Sequence, residues 1–274
     1  MKAAAFDYIR ATDAADAVRA LAAAGPNAKA LAGGQSLGPM LNLRLARPSA
    51  LVDIRRCPDL AGVTESADAI TYGAAIPHAA FEDQRVPDAT PGWLQGVARG
   101  IAYRAVRNKG TIGGSVVHAD PAADWPTVLL ALGAEVLTLG PAGAQTLPLQ
   151  SFLKGPFAVA LASDEILTGL RLSKRGTAAR WGYWKFCRKT GEFAKASAAV
   201  LHDPDRGETR AVIGAVEQAP ILVPDAAELL ANPMAAAEIV NRLAPNRSPA
   251  ARQLHAQALE RAAWIALGRK EIAA

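Results

Sequence analysis

Two short segments hold the residues best suited to chemistry in this chain: Ala32-Gly33-Gly34-Gln35-Ser36 and Thr111-Ile112-Gly113-Gly114-Ser115. Each places paired glycines before a hydroxyl side chain. Paired glycines let the backbone take φ > 0 and let a ligand approach the main chain closely. N–H groups exposed in such turns hold phosphate oxygens. One loop of this kind says little. Two, well apart in sequence, suggest a single ligand gripped from both sides, and a diphosphate fits. Neither segment matches the dinucleotide pattern GxGxxG or the phosphate-loop pattern GxxxxGK[ST], so neither of those folds follows.

The elements that must position these loops can be read from periodicity and punctuation. Residues 13–24 form a helix, capped by Thr12 or Asp13 and stopped at Gly25-Pro26. A short strand, 29–32, enters the first loop. Ser36 then caps a helix over 37–46, with Pro39 tolerated in its first turn, and 50–54 is a buried strand. The middle region mixes a strand at 69–73, a short helix at 77–81, helices at 91–101 and 122–132, and strands at 134–139 and 165–172. Around Arg175-Gly176-Thr177 the character changes. Strands at 181–187, 196–202 and 210–216 follow as an antiparallel meander. Helices at 225–231, 234–243 and 248–267 end the chain, the last opened by Ser248-Pro249. The order is α+β without regular βαβ alternation.

Composition narrows the classes. Apolar residues make up 51% of 274, as in a globular chain. No apolar run reaches the ~18 residues of a membrane span. Asp7, Asp13 and Asp16 fall where a signal peptide needs an apolar core. Cys57 and Cys187 have no metal spacing and suggest no disulfide framework, so a reduced, cytoplasmic setting is expected. The net charge is +5. Basic residues gather at Arg99, Arg104, Arg107 and Lys109, and again at Lys174, Arg175, Arg180, Lys185, Arg188, Lys189 and Lys195. Such groups serve a solvated face, an anionic cofactor, an acidic protein partner or a nucleic acid. No zinc-finger, helix-turn-helix or RNA-recognition signature accompanies them. His118 borders the second loop and suits a hydrogen-bonded structural role. His78, His202 and His255 look incidental. Trp181 with Tyr183, and Gly182 with Trp184, alternate as strand packing rather than as a stacking platform.

Taken together, AGGQSLGPMLNLRLARPSALVDI at 32–54, RNKGTIGGSVVHADPAAD at 107–124, GEFAKAS at 191–197 and the N-terminal FDYIRATDAADAVRAL resemble the FAD-binding medium subunit of molybdenum hydroxylases, the xanthine dehydrogenase and carbon monoxide dehydrogenase type. The resemblance covers essentially the whole chain. It implies a two-part FAD-binding domain of the vanillyl-alcohol-oxidase (PCMH) type over 1–176, then a smaller sheet-and-helix domain over 177–274. It also implies non-covalent FAD here, with molybdopterin on a large subunit and [2Fe–2S] clusters on a small one. Two cysteines cannot make a Cys₄ cluster site. The complex expected is a dimer of heterotrimers that hands electrons to an external acceptor, with no nucleic acid involved.

Residue roles come with the resemblance. Ala32, Gly33, Gly34, Gln35, Ser36 and Leu37, with Thr111, Ile112, Gly113, Gly114 and Ser115, would wrap the FAD diphosphate and ribityl chain. Asp124 matches a position that contacts FAD, where a carboxylate accepts a ribityl or ribose hydroxyl; it also suits a helix start electrostatically. Asp120 precedes a proline and serves either FAD or a turn. Ile101 would lie against the adenine or dimethylbenzene surface, and Leu167 completes the apolar set. Lys185 matches a basic position near the flavin, where a cation steadies negative charge on the reduced ring; it could equally be a surface lysine. Many bacterial relatives carry tyrosine where this chain has Phe193, so the ring keeps an apolar cover without a hydroxyl. Two other readings remain. A stand-alone flavin oxidoreductase would need its own acid or base, and none stands out. A basic nucleic-acid module would be colourless and bind with steep salt dependence.

Overall fold

The computed structural model describes residues 2–269. It opens with three parallel strands, β1 (Asp7–Arg10), β2 (Lys29–Leu31) and β3 (Ala50–Asp53), in the order β1-β3-β2. Helix α1 (Ala14–Ala24) joins the first two strands, capped by the Asp13 side chain on the Asp16 N–H. Helix α2 (Leu37–Asn42) joins the next two. It stops short of residue 46 because Arg44 turns left-handed at φ 57° and the chain folds back onto the Met40 carbonyl. Strand β1 carries almost no buried face, so its polar residues gave no periodic signal. Ala17, Leu21, Val52, Cys57 and Leu60 form a small core here. Burial pushes the Cys57 thiol up to about 11, which leaves it an inert apolar filler.

Helix α3 (Pro58–Ala61) leads into an antiparallel sheet of β4 (Val63–Glu65), β5 (Ala69–Gly73), β6 (Glu135–Gly140), β7 (Gly143–Pro148) and, after the small hairpin β8 (Leu153–Gly155) and β9 (Ala158–Val159), β10 (Ile166–Ser173). The order is β4-β5-β10-β6-β7. Between β5 and β6 run α4 (His78–Glu82), α5 (Trp93–Gly100), α6 (Arg104–Arg107), α7 (Ile112–His118) and α8 (Asp124–Ala131); α9 (Leu149–Phe152) follows β7. The main core lies between this sheet and these helices, around Tyr72, Trp93, Trp125 and Phe152.

The last part is a four-stranded antiparallel sheet of β11 (Arg180–Phe186), β12 (Ala196–Asp203), β13 (Glu208–Gly214) and β14 (Ile221–Val223). Helices α10 (Ala226–Ala231), α11 (Ala236–Leu243) and α12 (Pro249–Ala266) complete it. Strand alternation sends Gly182 against α12, where a Cβ would overlap the Ala262 carbonyl, and turns Trp181 to stack on Trp93. Arg175 ties this sheet to the preceding one: its guanidinium, almost wholly buried, donates to Asp203, Glu208 and the Leu132 carbonyl. His255, expected to be incidental, is buried, and its ring nitrogens lie against the Ala251 and Ala215 carbonyls.

Candidate functional site

The first glycine segment is an open cradle. Strand β2 delivers it, and Gly34 takes φ 69°, a conformation that suits glycine. Among the described residues, no acceptor meets the N–H groups of Gly33, Gly34, Gln35 or Ser36, and the Ser36 hydroxyl has no partner. Ser36 does not cap α2 as expected: it is already in the right-handed helical region, so its side chain is not aimed at the first-turn N–H groups.

The second segment is not a loop. Thr111 caps α7, accepting the Gly114 N–H at 3.0 Å, and residues 112–118 are helical. The N–H groups of Ile112 and Gly113 go to the Ile76 and Ala74 carbonyls, each at 3.0 Å, and that of Ser115 goes to Thr111. Most of the donors expected for a ligand are therefore already used within the protein. Neither Gly113 nor Gly114 has φ > 0. Gly113 is glycine because a Cβ would come within 2.5 Å of Ala74. The partly exposed Gly114 and Ser115 form the open side of the helix, with the Ser115 hydroxyl unpartnered among the described residues.

Packing brings the two segments together. A Cβ on Gly33 would overlap the Lys109 carbonyl, and one on Gly114 would stand 3.8 Å from Ala32. His78 fixes this junction from beneath: its N–H reaches the Gly110 carbonyl, and its ring accepts the Trp125 indole N–H at 3.0 Å. Burial lowers the His78 imidazole to about 4, so the ring is a neutral acceptor at ordinary pH. The histidine thought incidental is thus part of the support.

Asp124 and Lys185, 61 residues apart, meet as an ion pair at 2.6 Å. Asp124 starts α8 and is 9% exposed. Its Oδ1 also accepts the Tyr183 hydroxyl at 2.7 Å, while Lys185 donates to the Gly100 carbonyl at 2.9 Å. Lys185 is therefore not a free surface lysine. Ile101 follows Gly100, and Arg107 holds the Ile101 and Ala102 carbonyls at 2.8 and 3.1 Å while paired to Glu82. That grip keeps Ala102 at φ 40°, a conformation an alanine seldom takes. Asp120 accepts the Ala122 N–H in a local turn. Leu37 begins α2 beside the cradle. Leu167 is 3% exposed and belongs to the main core. Phe193 is 63% exposed, on the β11–β12 connection that Tyr103 supports through the Thr190 carbonyl.

The basic groups are less free than the sequence suggests. Arg104 pairs with Glu82 and Asp83, Lys174 with Glu65, and Arg188 with Glu192. Arg99, Lys109, Arg180, Lys189 and Lys195 remain exposed. His118 packs against Phe157, with ring centroids 5.1 Å apart, and burial lowers its imidazole. Sequence reasoning missed Tyr183 and Arg107. The Tyr-x-Lys spacing on a strand was the available sign for Tyr183, since alternate residues share a face.

A row of unpartnered N–H groups, flanked by hydroxyls and open at glycine, fits an oxygen-rich diphosphate. The Asp124–Lys185 pair adds an acceptor and a donor for hydroxyl or amide-like edges. Comparisons with known proteins point the same way. Residues 4–173 match the family described as the FAD binding domain in molybdopterin dehydrogenase. The chain is 39% identical over 201 residues to 6-hydroxypseudooxynicotine dehydrogenase complex subunit alpha of Paenarthrobacter nicotinovorans, covering 73% of this chain and 68% of that one. It is 33% identical over 236 residues to the nicotine 6-hydroxylase medium subunit of the same organism, covering 85% and 80%. A chain of carbon monoxide dehydrogenase from Hydrogenophaga pseudoflava superposes with a TM-score of 0.91 at 30% identity, over 99% of this chain and 100% of that one.

Proposed function

The chain belongs to the family of FAD-binding domains of molybdopterin dehydrogenases, and from that premise we propose that it is the FAD-carrying electron-transfer subunit of a molybdenum hydroxylase. It receives electrons from a [2Fe–2S] subunit and passes them to an external acceptor. Hydroxylation takes place on a large molybdopterin subunit, and the three chains assemble as a dimer of heterotrimers in the cytoplasm. The observation that carries this reading is the cradle at Gly33–Ser36, whose four N–H groups meet no acceptor among the described residues, packed against the Thr111-capped helix.

FAD bound there supplies a centre that takes up and releases electrons. The chain's own residues bind and orient it. The N–H groups of Gly33, Gly34, Gln35 and Ser36 and the hydroxyls of Ser36 and Ser115 hold the diphosphate. Asp124 and Lys185 orient the polar middle and ring end through one carboxylate oxygen and one ammonium hydrogen left over from their mutual pairing. Ile101 supplies apolar surface, held in place by Arg107. Phe193 lies on an exposed connection and covers or uncovers the ring without a hydroxyl. The exposed Arg99, Lys109, Arg180, Lys189 and Lys195 form a basic rim that speeds and orients docking of an electron-donating partner.

The test begins with flavin content. Purified chain should carry one FAD per chain, released by acid or heat. Co-expression with iron–sulfur and molybdenum subunits should give a complex whose flavin bleaches on adding the organic substrate. Multi-turnover oxidation of that substrate by this chain alone would sink the reading, as would colourless protein.

A further inference from the structure

The contact that joins the two halves of the chain at the site is shared by three residues, of which the resemblance accounts for two. We infer that Tyr183 is a positioning residue for the flavin, acting through Asp124 and Lys185 to set how much positive charge the ring meets. This rests on the proposed FAD site.

The geometry of the contact is the argument. Lys185 and Tyr183 both donate to the same oxygen of Asp124, at 2.6 and 2.7 Å. They lie two residues apart on β11, so they project from one face at a fixed spacing. The strand cannot slip: Gly182, immediately before Tyr183, sits flush against the Ala262 carbonyl, where even a Cβ would not fit. Lys185 is also tied to the Gly100 carbonyl at 2.9 Å, next to Ile101. The carboxylate is therefore pinned from two points on a rigid strand, and its second oxygen takes no donor among the described residues. Burial, then the Asp124 charge, push the Tyr183 phenol well above its ordinary range, so the hydroxyl keeps its proton and stays a donor.

An ammonium half-neutralised by a carboxylate presents less charge than a free one. Every donor to that carboxylate other than the lysine takes up part of its negative charge. With the Tyr183 hydroxyl in place, Asp124 neutralises Lys185 less completely, and more positive potential reaches the ring. Added electrons are then held more tightly. Removing the hydroxyl concentrates Asp124 on Lys185 and lowers the flavin's reduction potential. Removing the carboxylate charge has the opposite effect, because both donors lose their anion. A hydroxyl that only braces the strand would predict neither sign.

The experiment is spectroelectrochemical titration of the FAD-loaded full chain. Tyr183→Phe should keep FAD and shift the reduced-to-oxidised ratio at fixed potential about tenfold toward oxidised, equal to about 30 mV for a two-electron couple. Asp124→Asn should shift it the other way. Site-specific replacement of Tyr183 by 3-fluorotyrosine, a stronger donor of nearly the same shape, should raise the potential, and this holds the proposal to account even where the phenylalanine variant folds poorly. A Tyr183→Phe potential equal to wild type overturns the inference, whatever its melting temperature. So does a shift of both Tyr183→Phe and Asp124→Asn in one direction, or a fluorotyrosine variant that leaves the potential unchanged. Failure of the wild-type chain to bind FAD would instead overturn the proposed function itself, and this inference with it.

Discussion

The two glycine motifs are almost alike as text and differ in what they do in the fold. At Gly33–Ser36 the backbone turns through a left-handed glycine and leaves four N–H groups without an acceptor among the described residues. At Thr111–Ser115 the backbone is helical, and its first N–H groups are bound to Ile76, Ala74 and Thr111. One is a cradle and the other is the wall that braces it. Glycine is needed in both, for different reasons: conformation at Gly34, and close approach of two backbones at Gly33 and Gly113. A repeated small-residue pattern thus brings two segments together without saying which of them leaves its donors free.

The largest expected effect tests whether the cradle depends on its wall. Gly33→Ala drives a methyl into the Lys109 carbonyl, and backbone cannot rotate out of the way. A loss of about 3 kcal/mol in denaturant unfolding is expected, at the upper end of ordinary overpacking costs, together with loss of bound FAD. A variant that keeps both would show that the two motifs do not lean on each other.

Next comes acid. The folded-state value for His78, lowered to about 4, lies below the ordinary 6.5, so its contribution is fully present above about 6.5 and declines as pH falls toward 4. Between pH 6.5 and 4.5 that contribution falls by about 2 kcal/mol. Because His78 supports Gly110 and Trp125, the loss should fall on the wall side of the junction. His78→Gln should flatten this part of the stability–pH curve; an unchanged slope would remove His78 from the account.

The remaining tests separate binding from stability. At Gly114 a Cβ would stand 2.9 Å from the Thr111 Oγ1 that caps α7, so in Gly114→Ala that hydroxyl must shift, which offsets the about 1 kcal/mol of helix propensity alanine gains. Its stability should stay near wild type while FAD affinity, by fluorescence titration, falls about tenfold, or ~1.4 kcal/mol. Unchanged affinity would mean that this face of α7 is closed to the ligand. Thr111→Ala should cost about 1 kcal/mol of stability, because a helix cap is lost. Ser36→Ala should leave stability within about 0.5 kcal/mol and weaken FAD by about 1 kcal/mol, one hydrogen bond. Reversal of that pair, with Ser36 structural and Thr111 neutral, would invert the assignment of cradle and wall.

Much of this was legible in the residues alone. The apolar periods located α1, β3, β5, α5 and the C-terminal meander to within a few residues, and Ser248-Pro249 marked the start of α12. The paired glycines and the segments around them were enough to recognise the family. Local pattern missed β1, β4, β7 and the helical state of residues 112–118, since short or exposed elements carry little periodicity and a Gly-Gly pair reads as a turn.

Three things were decided only by tertiary structure: which N–H groups stay free, that Asp124 and Lys185 meet, and that Tyr183, 59 residues from Asp124, shares its carboxylate. The physical reason is one of range. Backbone propensity, capping and side-chain period act over a few residues, so a sequence carries them openly. Whether a donor is spent or available depends on the carbonyl or carboxylate that a distant segment lays against it, and that is settled when the sheets and helices pack.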